Sequence, residues 1–527
     1  MAQPSPAEKP AAETGWLEVT VTDGITDAPL PCRAWVQAAR RRYYEPAGSD
    51  HTPYQRDQSF ASAGRFRIRL PAGRATVHVE RGKEYLPVDR QLTVKAGQTA
   101  RASVALKRWI DLPAEGYYSC DVHVHLRHRG SAHAARLALG DDVHLLPVLT
   151  YWHHGGQVPA EWPEGMPTSA QPADKTHLVL LAAQELERIA GGRFHSIGAP
   201  LITNLTRPVS VTLERAFPPN TDLCRQARKH SPGCMIDMDK PIWAENVVGV
   251  AMGHFETAQL CHNHYHRYGD LAVHGGMAGF LADEEKTLGP RELFERTNAV
   301  YYRWLNCGFR LAAAGGSAYG VMPVPIGYNR TYAKLDGPLT VANYVKAVRA
   351  GRAFATSGPI VTMTADSQQL GATIKRSAAD TKPLAITVRV RAIEQLDSLE
   401  LVHDGRAVRT IDLSKVAPNP VIDRTAGWKL TPKRSGWIAA RALYRNSRRL
   451  RRQAHTSPIY FLVDGRPIAH KADAEYMIRW IDELTKIAVR PGRFRTDEQR
   501  QSVLADYRRA RGIYERIART GSDARGD

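Results

Sequence analysis

Tyr118-Ser119-Cys120-Asp121-Val122-His123-Val124-His125-Leu126 is the stretch on which the fold turns. Val122, Val124 and Leu126 alternate with Asp121, His123 and His125, the two-residue period of a strand. The apolar set can face a core, and the aspartate and both imidazoles then project to the opposite side. Two imidazoles side by side on a rigid strand form a ready chelate for a divalent metal. In a chain with 20 histidines, one His-x-His also fits an ordinary solvated face. The surrounding sequence decides between the two.

At 527 residues the chain exceeds one ordinary core, and three or four domains are expected. Its 43% apolar and 24% charged residues fit an ordered soluble protein. No apolar run reaches the roughly 18 residues a membrane helix needs. The net charge of +19 favours acidic partners. The arginines are spread along the chain without a nucleic-acid motif, so the expectation is a small-molecule substrate, with anionic ones among the candidates, and neither nucleic acid nor membrane. The densest basic run, Arg445 to Arg452, reads as an exposed turn. Six cysteines in this length do not make a disulfide framework; Cys224 and Cys234 could bridge or lie buried as thiols. The polar start, Met1 to Pro6, resembles that of an exported protein stripped of its signal. A periplasmic or extracellular location is therefore expected, with the cytoplasm as the alternative.

Residues 1–14 are rich in Pro, Ala and Glu and read as a disordered tail. Alternating segments follow at Leu17–Thr22, Phe66–Leu70, Ala75–Glu80, Leu92–Val94 and Ala102–Leu106, separated by Gly and Pro turns. They predict a β-sandwich over 15–108 that resembles the carboxypeptidase-regulatory-like module. From Trp109, buried-strand runs (His144–Thr150, His177–Leu181, Ile197–Leu201) alternate with helical ones (Arg291–Leu305, Val341–Ala350), which predicts an α/β domain with a largely parallel sheet to about residue 365. A second β-rich segment, 366–467, carries Leu384–Val390, Ser398–Val402, Trp437–Ala440 and Ile459–Val463. The tail, 468–522, has two apolar stripes: Met477, Trp480, Ile481, Leu484 and Ile487, then Val503, Tyr507, Ala510, Tyr514 and Ile517. With Thr496 and Gln499 as a capping box, it predicts a helical hairpin.

Four clusters in the central region carry possible chemistry. In Ala183-Gln184-Glu185-Leu186-Glu187 the carboxylates could bridge metals, although the plainer reading is the start of a solvated helix. His195 stands alone at a strand start. Asp237 and Asp239 would share one face of a strand, with Met238 and Lys240 on the other. His262, His264 and His266 could chelate as a strand or as a helix. No His-Glu-x-x-His, Cys-x-x-Cys pair or phosphate-binding glycine loop competes, and Gly315-Gly316-Ser317-Ala318-Tyr319 lacks the second glycine of a nucleophile elbow.

With these clusters in place, the chain resembles the CehA/McbA-type, carbaryl-hydrolase-like metallohydrolases of the PHP superfamily over about 109–365. Cys-Asp-Val-His-Val-His matches that family's Gly-Asp-x-His-x-His, and Gln184-Glu185 its acidic ligand pair. Gly327-Tyr328-Asn329-Arg330-Thr331-Tyr332 and Ala350-Gly351-Arg352-Ala353-Phe354-Ala355-Thr356-Ser357-Gly358-Pro359 match long family segments. The resemblance implies metal ligands His123, His125, Glu185 and His195, the last in a region where Arg193 replaces the family's first histidine. It also departs from the family: Asp239-Lys240-Pro241 stands for Ala-His-Pro, and Gly316-Ser317-Ala318-Tyr319 for Gly-Ser/Thr-Asp-x-His. Two ligand positions are thus filled by other residues, and His264 is the possible substitute.

The implied architecture is multidomain α/β plus all-β: a PHP-like (β/α) distorted barrel flanked by an N-terminal β-sandwich and by a C-terminal β-sandwich with its helical hairpin. The implied activity is a metal-dependent hydrolase using one or two Zn, Mn or Fe ions. In it a metal-bound hydroxide attacks an ester, amide, carbamate or phosphoester. Asp237, Asp239 or Asp121 would handle protons or anchor imidazoles, and Lys240 and Arg330 would bind negative charge. The alternative is a degenerate PHP-like domain that binds a ligand without turnover.

Overall fold

A computed structural model describes residues 13–49, 58–126, 130–189, 196–214, 216–265, 273–274, 287–288, 290–445 and 451–522. The chain separates into two compact units: residues 1–111 with 136–142, and residues 112–135 with 143–527.

The first unit is built on two sheets. Thr14–Asp23 lies between Arg65–Pro71, antiparallel, and Thr99–Leu106, parallel. The second sheet centres on Cys32–Ala38 and Gly73–Glu80, paired antiparallel, with Arg42–Tyr44, Phe60–Ser62 and Val88–Val94 added. Alternation of the kind seen in Arg65–Pro71, where Phe66, Ile68 and Leu70 are buried and Arg65, Arg67 and Arg69 exposed, supplies one wall of the core. Cys32–Ala38 escapes such a pattern because nearly all of it is buried, Arg33 included.

The second unit is a mixed α/β structure around one long sheet. In spatial order its path runs Ala312–Gly315, Thr257–Cys261, Met235–Asp237, Leu201–Thr203, Leu178–Leu186, Leu145–His153, Tyr117–Cys120, Arg330–Lys334, Ala353–Thr356, Arg451–Thr456, Gly436–Arg445, Leu396–His403 and Arg406–Asp412. The sheet is not largely parallel. Leu145–His153 runs parallel to Leu178–Leu186, but Leu201–Thr203 is antiparallel to both its neighbours, and so is Arg330–Lys334.

Among the described residues the hydrogen-bonded path is open. Its first strand nevertheless curls back: Gly315 N–H donates to Thr331 Oγ1 at 2.9 Å, and a Cβ on Gly315 would meet the Arg330 nitrogen at 2.8 Å. Glycine is required for that approach. A separate antiparallel sheet joins Ile360–Ala365, Leu384–Ala392 and Ile422–Leu430.

Helices Lys471–Ala488 and Asp497–Thr520 bury Met477, Trp480, Ile481, Leu484, Val503, Tyr507, Ala510 and Tyr514 in the same core as Val247, Tyr301 and Trp304. Thr496 caps the second helix by accepting from Gln499 N–H. Gln499 Oε1 returns to the N–H of Arg495, one residue before the position a capping box uses. All six cysteines are buried free thiols, Cys224 and Cys234 among them. No described helix is long and apolar enough to cross a membrane.

Candidate metal centre

His123, His125 and Glu185 come together from two places in the sheet. The strand that carries the histidines ends early, at Cys120, and residues 121–126 continue as irregular backbone. The cause is Asp121. Instead of sharing a face with the imidazoles, its carboxylate accepts the N–H groups of His123 (3.1 Å), Ser317 (3.0 Å) and Gly327 (2.8 Å). An aspartate that captures the N–H two residues on draws the backbone out of the ladder. Here it also ties the histidine segment to two loops. Val124 remains bridged to Tyr319, which keeps His123 and His125 on a common side.

Glu185 lies within strand Leu178–Leu186, not at a helix start. Pairing with Leu145–His153 on one side and Leu201–Thr203 on the other extends the strand past the polar residues. Glu185 Oε2 faces His125 Nε2 at 3.1 Å and His123 Nε2 at 3.4 Å. All three side chains are buried, and one donor atom from each lies within 4.8 Å of the others. Neither His125 ring nitrogen nor Glu185 Oε2 has a hydrogen-bond partner, and His123 Nδ1 has none. Buried polar atoms are normally satisfied. Donor atoms about 2.0–2.1 Å from one tetrahedral ion sit about 3.3 Å apart, close to the 3.1 and 3.4 Å that separate Glu185 Oε2 from the two imidazoles. The donor set therefore fits a divalent cation.

Asp239 completes the surroundings. Its Oδ1 lies 3.5 Å from His123 Nδ1 and is otherwise unpartnered, while Oδ2 accepts from Lys240 Nζ (2.6 Å) and Trp243 Nε1 (2.8 Å). The expected strand alternation through 237–240 fails, because the strand stops at Asp237 and Asp239 adopts a left-handed backbone, φ +58°. That turn brings Lys240 onto Asp239 instead of the opposite face. Asp237 points elsewhere, accepting from Thr257 Oγ1 (2.5 Å) and Gln259 Nε2 (2.8 Å).

The charges are mutually dependent. Burial opposes a charge on His123, but Glu185 and then Asp239 raise its pKa well above the ordinary imidazole value. Burial alone outweighs the same help at His125 and lowers it. Asp239 is held far below the usual carboxylate range: burial works against this, and Lys240 and His123 overcome it. Asp237 is pushed up to about 7 by burial.

The remaining expected residues fall differently. His262 is buried: Nδ1 accepts from His264 N–H at 3.3 Å, Nε2 lies 3.4 Å from Thr297 Oγ1, and burial lowers its pKa well below the ordinary imidazole value. His264 sits on the turn after strand Thr257–Cys261, partly buried, with its ring centroid 5.6 Å from that of His262. Arg330 is buried and braces a loop, donating from Nε to Gly327 O at 2.5 Å. His195 and His266 lie outside the described residues. Ser317 N–H goes to Asp121 and its hydroxyl to Asn329 O, so this loop builds the frame around the histidines.

Three site residues went unread in the sequence. Trp152 packs its ring 4.7 Å from that of His125 and donates from Nε1 to Glu187 Oε2 at 3.1 Å. Trp243 holds Asp239, and Gln259 holds Asp237. The run Tyr151-Trp152-His153-His154, directly after a buried strand, was the available signal. Gln259 gave none beyond being a polar residue in an apolar strand. Glu187, beside Trp152, is pushed up to about 7 by burial and then by the Glu185 charge.

No protein-family model matches the chain, and no curated protein matches it. Among solved structures, the chain is similar to the Bacillus anthracis TIE protein at 8% identity and a TM-score of 0.14, over 86% of this chain and 50% of that one. A leucine-rich repeat protein from Bacteroides thetaiotaomicron follows at 9% identity and a TM-score of 0.11, over 39% and 25%. The chain thus spans half the length of the first and a quarter of the second. At such TM-scores neither likeness defines a shared fold.

Proposed function

We propose that the chain is a metal-dependent hydrolase of the CehA/McbA-like PHP type, with His123, His125 and Glu185 holding a divalent cation. One observation carries this reading: the buried convergence of His123 Nε2 and His125 Nε2 on Glu185 Oε2, with neither His125 Nε2 nor Glu185 Oε2 satisfied by a hydrogen bond. The curl that brings Gly315 against Arg330 supports a distorted barrel with this group inside it.

A divalent cation in such a site supplies Lewis acidity, lowering the pKa of water and polarising an acceptor oxygen of an ester, amide, carbamate or phosphoester. The chain's own residues prepare the place. Asp121 fixes the backbone of His123, and Asp239 faces its Nδ1 and orients the ring. Lys240 neutralises Asp239 and, at the margin of the group, offers a cation to developing negative charge. Trp152 covers the His125 ring and keeps bulk water off it.

A second reading, a PHP-like binding protein without turnover, has its own support. Ser317 is spent on Asn329 and Asp121, and Ala318 and Tyr319 bring neither carboxylate nor imidazole. Metal analysis of wild type beside His123→Ala/His125→Ala, followed by ester, carbamate and phosphoester assays, separates the two. Stoichiometric metal lost in the variant, with hydrolysis lost alongside, supports the hydrolase. Metal without any hydrolysis supports the binding protein.

A further inference from the structure

The strand Arg65–Pro71 is an outer strand of the three-stranded sheet in the first unit. Among the described residues it pairs on one side only, antiparallel to Thr14–Asp23. Flanking hydrogen bonds fix which of its backbone groups are taken. Val21 N–H donates to Gly64 O at 2.7 Å, just before the strand, and Ala72 N–H to Glu13 O at 2.8 Å, just after it. By antiparallel alternation Phe66, Ile68 and Leu70 turn their N–H and C=O toward Thr14–Asp23. Those of Arg67 and Arg69 turn to the open edge.

The side chains along this edge form a charged ladder. Arg65, Arg67 and Arg69 are exposed and recur about 6.7 Å apart on one face. The sheet itself shows what answers them. Glu18, on the neighbouring strand, stands across from Arg67 on one side and from Arg101 on the other. Its carboxylate lies 3.4 Å from Arg67 Nε and 3.2 Å from Arg101 Nε. Across from Arg69 and Arg65 stand Trp16 and Thr20, so those two rows carry no acid.

We infer that this edge docks an extended acidic segment of a partner protein, which joins the sheet as a fourth strand. The partner backbone takes up the outward N–H and C=O groups of Arg67 and Arg69. Acids at every second residue match the arginine pitch and repeat at Arg65 and Arg69 the pairing that Glu18 makes with Arg67. The residues between them extend the face of Phe66, Ile68 and Leu70 and are apolar. A second copy of this strand does not fit, because it sets arginine against arginine. The edge thus repels its own kind and selects opposite charge. None of this depends on the metal centre.

The test is fluorescence anisotropy of the full chain with a short labelled peptide alternating Glu with Val, at about 0.15 M salt. Three control peptides accompany it: the same residues with the Glu in one block, a copy with Lys for Glu, and a copy N-methylated throughout. Wild type is compared with Arg65→Glu/Arg69→Glu and with Arg74→Glu/Arg90→Glu, which alters two exposed arginines of the other sheet. Wild type should bind the alternating Glu peptide saturably, about fivefold or more tighter than the block peptide. The N-methylated copy should not bind. Arg65→Glu/Arg69→Glu should lose the Glu peptide and take the Lys peptide, while the Arg74/Arg90 variant stays within about twofold of wild type. No binding to wild type, or equal binding of the block or N-methylated copy, would overturn the inference. So would a charge-swapped edge that keeps the Glu peptide, or an equal loss in the Arg74/Arg90 variant. Self-association of wild type that vanishes in Arg65→Glu/Arg69→Glu would overturn it too, by giving the edge to a second copy.

Discussion

Buried charge is handled differently inside the first unit and at the His123–His125–Glu185 group of the second. Among the described residues of the first, the buried charges Arg33, Arg81, Glu84, Asp141 and Asp142 are all matched. Arg33 donates from Nε to Asp141 Oδ1 at 2.8 Å, from Nη1 to Ser59 Oγ at 2.6 Å, and from Nη2 to Asp141 Oδ2. Arg81 meets Asp142 at 2.8 Å, and Arg108 meets Glu84 at 2.7 Å. In the second unit, Glu185, His123 and His125 turn toward one another with no hydrogen bond made between the facing atoms. The first arrangement is a fold holding itself together. The second leaves polar atoms unsatisfied at a cost in stability, which a bound ion would offset.

The sharpest way to break that contrast is to remove one partner on the satisfied side. Arg33→Ala takes two guanidinium donors from the buried Asp141 carboxylate and should cost about 3–5 kcal/mol. Urea denaturation of the sandwich transition should show that loss equally with and without chelator. A loss that depends on metal would mean that the units do not divide the work as described.

A second prediction concerns metal affinity against pH. His123 must be neutral to bind metal, and its raised pKa keeps it protonated near neutrality in the metal-free chain. The ion displaces that proton, so affinity should rise with pH by up to about tenfold per unit below the raised pKa. Competition titrations with a chelator from pH 6 to 8.5 read this; a flat profile contradicts it.

The sandwich should respond to pH with the opposite sign. His78 lies 2.8 Å from Glu80 and 2.7 Å from Asp89; burial works against its charge, but the two carboxylates raise its pKa above 6.5. Its contribution is fully present below the unfolded value and is lost as pH rises through the folded one. Between pH 5.5 and 8.5 the sandwich of wild type should therefore lose stability relative to His78→Gln, a gap absent at the alkaline end.

The smallest effect is a control. Thr340 caps helix Val341–Arg349 by accepting from Asn343 N–H at 3.1 Å. Thr340→Ala should cost about 1 kcal/mol and leave metal content untouched.

How much of this was legible in the sequence follows from what each residue answers to. The hairpin stripes and the alternation of Arg65–Pro71 report a local period against a single apolar core, and both were readable. His-x-His was readable as a chelate because two residues in sequence suffice. Glu185 came only with the family resemblance, since its plain reading was a helix start, and the strand it occupies is set by neighbours on both sides. Trp152 and the tying of Asp121 to Ser317 and Gly327 depend on partners tens to hundreds of residues away, which no local pattern encodes, whereas Trp243 reaches nearby Asp239 only because the backbone turns there. Lys240 was placed on the wrong face because one left-handed residue, Asp239, undoes strand parity.

The central claim is that the convergent group holds a metal. Metal analysis of purified wild type beside His123→Ala/His125→Ala tests it most directly. The account predicts about one or two equivalents of a divalent ion in wild type, removable by chelator, and none in the variant. Wild type that holds no metal even after reconstitution with Zn, Mn or Fe, or a variant that holds as much, would contradict it.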